Sequence, residues 1–227
     1  MEEILNPTVF YQGWEIREPV TSATDLLTGV VSLFAFIYLG MMKSISPIVG
    51  QMRAYFILMA ISMGFAGIAG HAMQAYISWE WKMIGWSFGA MAVCMLEQAS
   101  ITALQDKLGD KYSLWLRIFA VLHLIIFFIA IAIPATRSFS AVKINSTIGL
   151  VGLVLPLHAY NLLSQKVKSS FWIVLAMIWA LIPAYVYNME VSISRWFNFH
   201  DISHVLMSIY TVYLFLGAKS FARNFQN

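Results

Sequence analysis

The residues best suited to chemistry in this chain are histidines. There are five, His71, His123, His158, His200 and His204, all in or beside long apolar runs. His200 and His204 stand four apart in the stretch His200-Asp201-Ile202-Ser203-His204. On a helix that spacing puts both imidazoles on one face. Two ligands from one helix can then chelate a cation such as zinc. His71 is the third candidate ligand. It precedes the end of its own apolar run by about six residues, roughly 9 Å along a helix, and His204 lies a similar depth into the last run. If those two helix ends share one membrane face, the three imidazoles meet at one level. Three protein nitrogens and one open position make the layout of a catalytic zinc site, whose remaining position takes a water acidified towards neutral pH.

Such a site needs a proton acceptor. Asp25, at the start of the first apolar run, is the leading candidate, although Thr24 and Asp25 also suit a helix cap. Ser22 is a candidate donor to a developing oxyanion, and Ser203 is another. Asp201 adjoins His200 but projects about 100° away around the helix. Glu80, Asn188 and Glu190 lie in loops on the same side. His123 falls mid-span and His158 towards the opposite side, where packing or hydrogen bonding is the expected role.

The elements that must position these groups are membrane helices. Of the 227 residues, 60% are hydrophobic and only 11% are charged, against about 25% charged in a soluble domain. Seven apolar runs follow one another, at about 22–42, 52–77, 83–104, 113–133, 143–163, 170–188 and 199–221. Each is long enough to cross about 30 Å of hydrocarbon. Lipid offers no partner for free backbone groups, so each run reads as a helix. The expected fold is therefore all-α, a polytopic membrane protein with seven transmembrane helices in one bundle. It forms a single domain over 1–227, with 1–21 as an outer N-terminal segment. The acidic start, Met1-Glu2-Glu3, does not resemble a cleaved signal peptide. Pro156 and Pro183 fall inside the fifth and sixth runs and should kink them.

Orientation follows from loop cations. With the N-terminus outside, nine basic residues lie inside (Lys43, Arg53, Lys107, Lys111, Arg117, Lys166, Lys168, Lys219, Arg223) and five outside (Arg17, Lys82, Arg137, Lys143, Arg195). The excess favours N-out and C-in. The same scatter excludes a nucleic-acid protein, which needs a continuous basic stripe. The lone Cys94 excludes an internal disulfide and suits packing.

With these features in hand, the chain resembles the superfamily of alkaline ceramidases, progestin/adiponectin receptors and hemolysin-III-like proteins, often called CREST. The resemblance rests on seven helices, on His71 in Gly67-Ile68-Ala69-Gly70-His71, and on the His200/His204 pair. Arg17-Glu18-Pro19 through Asp25 looks like a divergent version of the polar motif that leads into helix one, with Glu18, Ser22, Thr24 and Asp25. The resemblance implies a zinc cofactor held by His71, His200 and His204, and membrane lipids as partners. For the enzymatic members it also implies hydrolysis of a lipid amide such as ceramide. Two departures stand out. Gly67 occupies the place of a family serine, and Lys82 lies where a helix-three aspartate is expected.

Two functions compete on this reading. One is a zinc-dependent intramembrane hydrolase of lipid amides or esters, with Asp25 and Ser22 as catalytic groups. The other is a receptor-like or regulatory protein with a structural zinc and no catalysis. A haem protein would need opposed histidines on separate helices, and a retinal protein a lysine deep in the last helix, where only Lys219 occurs, at the inner end.

Overall fold

The computed structural model describes residues 7–42 and 46–224. Lys43 and the acidic pair Glu2 and Glu3 lie outside the described residues. The N-terminal segment contains structure that hydrophobic runs do not signal. Strands β1 (Thr8–Tyr11) and β2 (Trp14–Arg17) pair antiparallel, Thr8 opposite Arg17 and Tyr11 opposite Trp14. Gln12 and Gly13 join them with φ of 48° and 84°. Two successive positive φ values make the tight turn whose twist matches a hairpin. The hairpin is pinned to the helices by Tyr76. The Glu15 N–H donates to the Tyr76 hydroxyl at 2.7 Å, and the Trp14 ring packs edge-on to Tyr76 at 5.3 Å.

From the hairpin the chain turns sharply at Glu18, in the left-handed region at φ 45°, and enters α1 (Pro19–Met41) with proline at its first position. The rest is helical. α2 (Pro47–Phe65) runs on into a π-helical segment, Ala66–Ala72. A short 3-10 turn, Trp79–Trp81, leads into α3 (Lys82–Ala132). α4 (Phe139–Ser146), a second π segment (Thr147–Val154) and α5 (Leu155–Leu163) form one continuous rod. α6 (Lys168–Trp179), α7 (Leu181–Asn188) and α8 (Phe199–Asn224) complete the chain.

Among the described residues six helical segments are long and apolar enough to cross a membrane. The third of them, Trp79–Ala132, folds back on itself. Gly109 sits at φ 75°, ψ 161° inside α3, a conformation open essentially to glycine alone. The two arms, residues 82–108 and 110–132, pack antiparallel. Arg117 donates to the Gln98 side chain at 2.8 Å, and Cys94 Sγ approaches the Ala120 carbonyl at 3.9 Å.

At both expected kink positions the helix is irregular in its bonding. Proline lacks the N–H that would bond four residues back. The α6 helix stops at Trp179, four residues before Pro183. Around Pro156 the rod changes from π to α at Leu155.

Large apolar side chains such as Val30, Phe34, Leu122, Ile126 and Ile129 are exposed, while Thr28, Ser32, Ser100, Ser169 and Ser170 are fully buried. That inversion suits a lipid surround, where hydroxyls serve as links between helices. Thr28 and Ser208 join α1 to α8 at 2.8 Å, and Ser62 donates to the Gly85 carbonyl at 2.8 Å, joining α2 to α3. A core of Leu39, Met52, Tyr55, Phe56, Leu96, Ile173 and Leu214 fills the middle of the bundle. One end of the bundle gathers the starts of α1, α3 and α8 and the end of α2.

Candidate metal centre

That end holds His71, His200 and His204. His200 and His204 come from the first turns of α8. Asn198 and Asp201 start this helix: the His200 N–H donates to the Asn198 side-chain oxygen at 2.8 Å, and the Asn198 N–H to Asp201 Oδ2 at 2.7 Å. Asp201 is thereby a helix-start acceptor through Oδ2, while its Oδ1 is buried without a hydrogen-bond partner. His71 comes from the π segment, whose wider turn changes the direction of the side chains that follow it; such segments cluster at functional sites. The three rings form a near-equilateral triangle. Centroids lie 6.2 Å apart for His71–His200, 6.2 Å for His71–His204 and 6.4 Å for His200–His204.

Asp25 stands between two of these rings. Its Oδ2 lies 3.5 Å from His71 Nε2 and its Oδ1 lies 3.2 Å from His204 Nδ1. The carboxylate is 1% exposed, and Oδ2 has no hydrogen-bond partner. Thr24 Oγ1 is 3.4 Å from the same His204 nitrogen. On the far side of His71, Nδ1 hydrogen-bonds Glu18 Oε2. Glu18 also accepts from Gln74 Nε2 at 2.8 Å. Burial alone would raise the Glu18 pKa. The bond to His71, that ring's charge, the Gln74 bond and the Lys82 charge outweigh burial and hold it below 4.5.

Gly67 explains how Asp25 gets there. A Cβ on Gly67 would stand 2.8 Å from the Ser22 carbonyl oxygen, 3.1 Å from Leu26 Cγ and 3.2 Å from Asp25 Cβ. The serine that the resemblance leads one to expect therefore has no room. Its absence lets α1 close onto α2 and brings Asp25 to the imidazoles. The described contact of Ser22 at this site is through its main-chain carbonyl.

Do these residues fit a metal ion? Around a tetrahedral ion with arms of about 2.0–2.1 Å, neighbouring donors lie roughly 3.3 Å apart. The two nitrogen–oxygen distances, 3.2 and 3.5 Å, reach two different oxygens of Asp25, so they place the carboxylate beside the rings rather than mark two edges of one tetrahedron. They exceed the 2.7–2.9 Å or so of a charge-assisted hydrogen bond. A buried carboxylate oxygen without a donor is costly, and a cation would answer it. The imidazole triangle is about 1 Å wider than rings that share one zinc at tetrahedral angles, about 5 Å between centroids. Accordingly, among the described residues no group of three or more His, Cys, Asp or Glu is already closed around one ion position. The donor types suit zinc, while the three rings stand too far apart to share one ion in the arrangement described.

The other candidates lie elsewhere. The Ser203 hydroxyl donates to the Pro183 carbonyl at 3.2 Å, so it braces the α6–α7 break. Asn188 accepts from Lys143 at 3.4 Å. Glu80 sits on the turn before α3. Lys82 approaches the π segment, its Cγ 3.7 Å from where a Cβ on Gly70 would stand, so helix three brings a cation where the resemblance leads one to expect an acid. His158 is held between Ser170 at 2.9 Å and Ser100 at 3.1 Å, a hydrogen-bonding residue as expected.

Spacing alone did not assign Glu18 a role at His71, because the two are 53 residues apart. The available signal was an acid directly before a proline-led span. A carboxylate on the far nitrogen of a metal-ligating histidine fixes its tautomer, and losing one typically weakens binding about 10- to 100-fold. Glu18→Gln is expected to lower zinc affinity by that factor, read by competition with a chromophoric chelator. Unchanged affinity would show that Glu18 does not orient His71.

The model of a family of unknown function matches residues 20–223, from the start of α1 almost to the end of α8. No curated protein and no solved structure matches the chain.

Proposed function

The chain belongs to DUF6962, a family of unknown function, and we propose that it is a zinc-dependent intramembrane hydrolase that cleaves a lipid amide or ester. The observation that carries this reading is the Asp25 carboxylate, buried between His71 and His204 with one oxygen unpartnered. In the same proposal the chain crosses the membrane seven times, each arm of α3 counting once, with N-out and C-in orientation. The cluster then opens at the outer face.

His71, His200 and His204 would hold the ion. When bound, zinc supplies Lewis acidity, polarising a carbonyl and lowering the pKa of water. The remaining work falls to side chains. Glu18 fixes His71 through Nδ1 and leaves Nε2 free to ligate. Asp25 takes a proton as a water oxygen bonds to the acyl carbon, then returns it to the leaving nitrogen or oxygen as the bond to that atom breaks. The products are a fatty acid and an amine or alcohol. An open apolar groove of about 460 Å³, lined by Ile61, Gly64, Phe65, Ile68 and Trp81, runs along the π segment that carries His71 and suits an acyl chain.

Elemental analysis of protein purified without chelator tests the ion. About one zinc per chain is expected, and a value near zero removes the reading. A panel of ceramides, acyl amides and phospholipids tests turnover, with His204→Ala as control. Cleavage that chelation abolishes and zinc restores supports the hydrolase. Zinc without cleavage of any of them favours a receptor-like or regulatory protein with structural zinc, the reading that Lys82 in place of the family's helix-three acid favours.

A further inference from the structure

A second group of ionisable residues lies far from the first. Glu97 is 15 residues beyond Lys82 along α3, about 22 Å deeper. It is fully buried, and neither carboxylate oxygen has a hydrogen-bond partner. Its Oε1 faces His123 Nδ1 across 3.4 Å, on the return arm of the same hairpin. His123 Nε2 is also buried and unpartnered. The rod containing the second π segment closes the third side. A Cβ on Gly149 would stand 3.0 Å from Glu97 Oε1 and 2.4 Å from Val93 Cγ1, so only glycine lets this backbone lie against the carboxyl.

The titratable groups around Glu97 are few. Cys94 lies one turn away on its own helix and is buried. Across the hairpin, Arg117 is engaged by Gln98 at 2.8 Å, Thr102 at 2.9 Å and Gln105 at 3.2 Å. His158 reaches α3 only through the Ser100 hydroxyl and is bonded at both nitrogens. The π segment presents glycine. Among the described residues, Glu97 thus has a single ionisable partner across the hairpin, His123.

An acid and an imidazole in an apolar interior avoid the cost of a buried ion pair by sharing one proton and remaining neutral together. Ionisable residues inside membrane spans mark ion or proton paths by default. We propose that Glu97 and His123 form a proton-binding site in the membrane interior, separate from the histidine cluster, and that its proton exchanges with water.

Infrared difference spectroscopy in lipid nanodiscs reads this directly. An un-ionised carboxyl has its own carbonyl stretch, apart from carboxylate bands. Subtracting the Glu97→Gln spectrum from wild type at neutral pH should leave one carboxyl's worth of that band. It should shift in heavy water and fade as pH rises. No difference band at neutral pH, or one that heavy water leaves unshifted, overturns the proposal. So does a band that appears only when sodium is withdrawn, which would mark a metal-cation site. His123→Leu retains Glu97 and covers failure of the first variant to fold. Its band must move in frequency because the imidazole partner is gone, and an unmoved band is equally fatal.

Discussion

Asp25→Asn is expected to reduce lipid-amide turnover by about 10²- to 10⁴-fold, the usual contribution of a positioned acid or base. The substitution keeps the shape of the side chain and leaves all three imidazoles in place. It removes the group that accepts the proton, and it weakens the attraction for a cation. Stability should move the other way. Without metal, the wild-type site holds a buried carboxyl oxygen with no hydrogen-bond partner, and a buried polar atom left unpaired destabilises the fold. The metal-free variant should therefore melt no lower than metal-free wild type, while the rise in Tm on adding zinc should shrink. Calorimetry with and without zinc, beside turnover at saturating zinc, checks both halves. Full turnover in the variant would remove Asp25 from the chemistry. A large fall in metal-free Tm would show that its contacts are structural.

Gly67→Ser restores the residue that the resemblance leads one to expect, and yet it is expected to damage the protein. The new Cβ would lie 2.8 Å from the Ser22 carbonyl, which is main chain and cannot swing aside. α1 must retreat from the π segment, and Asp25 travels with it. Overpacking of this kind costs about 1–3 kcal/mol. Misplacing a reacting group by around 1 Å can cost about 10²-fold in rate. Thermal melting and turnover should both fall, and Gly67→Ala should behave alike, because Cβ rather than the hydroxyl is the offence. Equal or better activity with serine would show that the site accommodates a side chain there and that its closeness at Gly67 is incidental.

The helical, membrane-spanning character of this protein was legible in its sequence because it depends on sums. Runs of about 20 apolar residues report a lipid solvent wherever their ends meet. Periodicity likewise placed His200 and His204 on one face, and helix length set His71 at their depth. Proline chemistry marked Pro156 and Pro183 as places of irregular helix bonding, since a missing N–H acts locally. None of these required knowledge of which helices touch. The tertiary structure decided what depends on contact between distant segments. Gly109 joined the third and fourth apolar runs by a single non-helical residue where a longer loop was expected, and the Gln12–Gly13 turn built a hairpin that hydropathy cannot register. Glu18 met His71, and Asp25 came between His71 and His204 because Gly67 lacks a side chain. Glu97 was passed over as one acid within an apolar run, and only the packing of His123 and Gly149 against it gave it a partner. A residue's type sets which bond it can make. Whether that bond forms is a matter of distances of a few ångströms between chain segments, which neither spacing nor composition fixes.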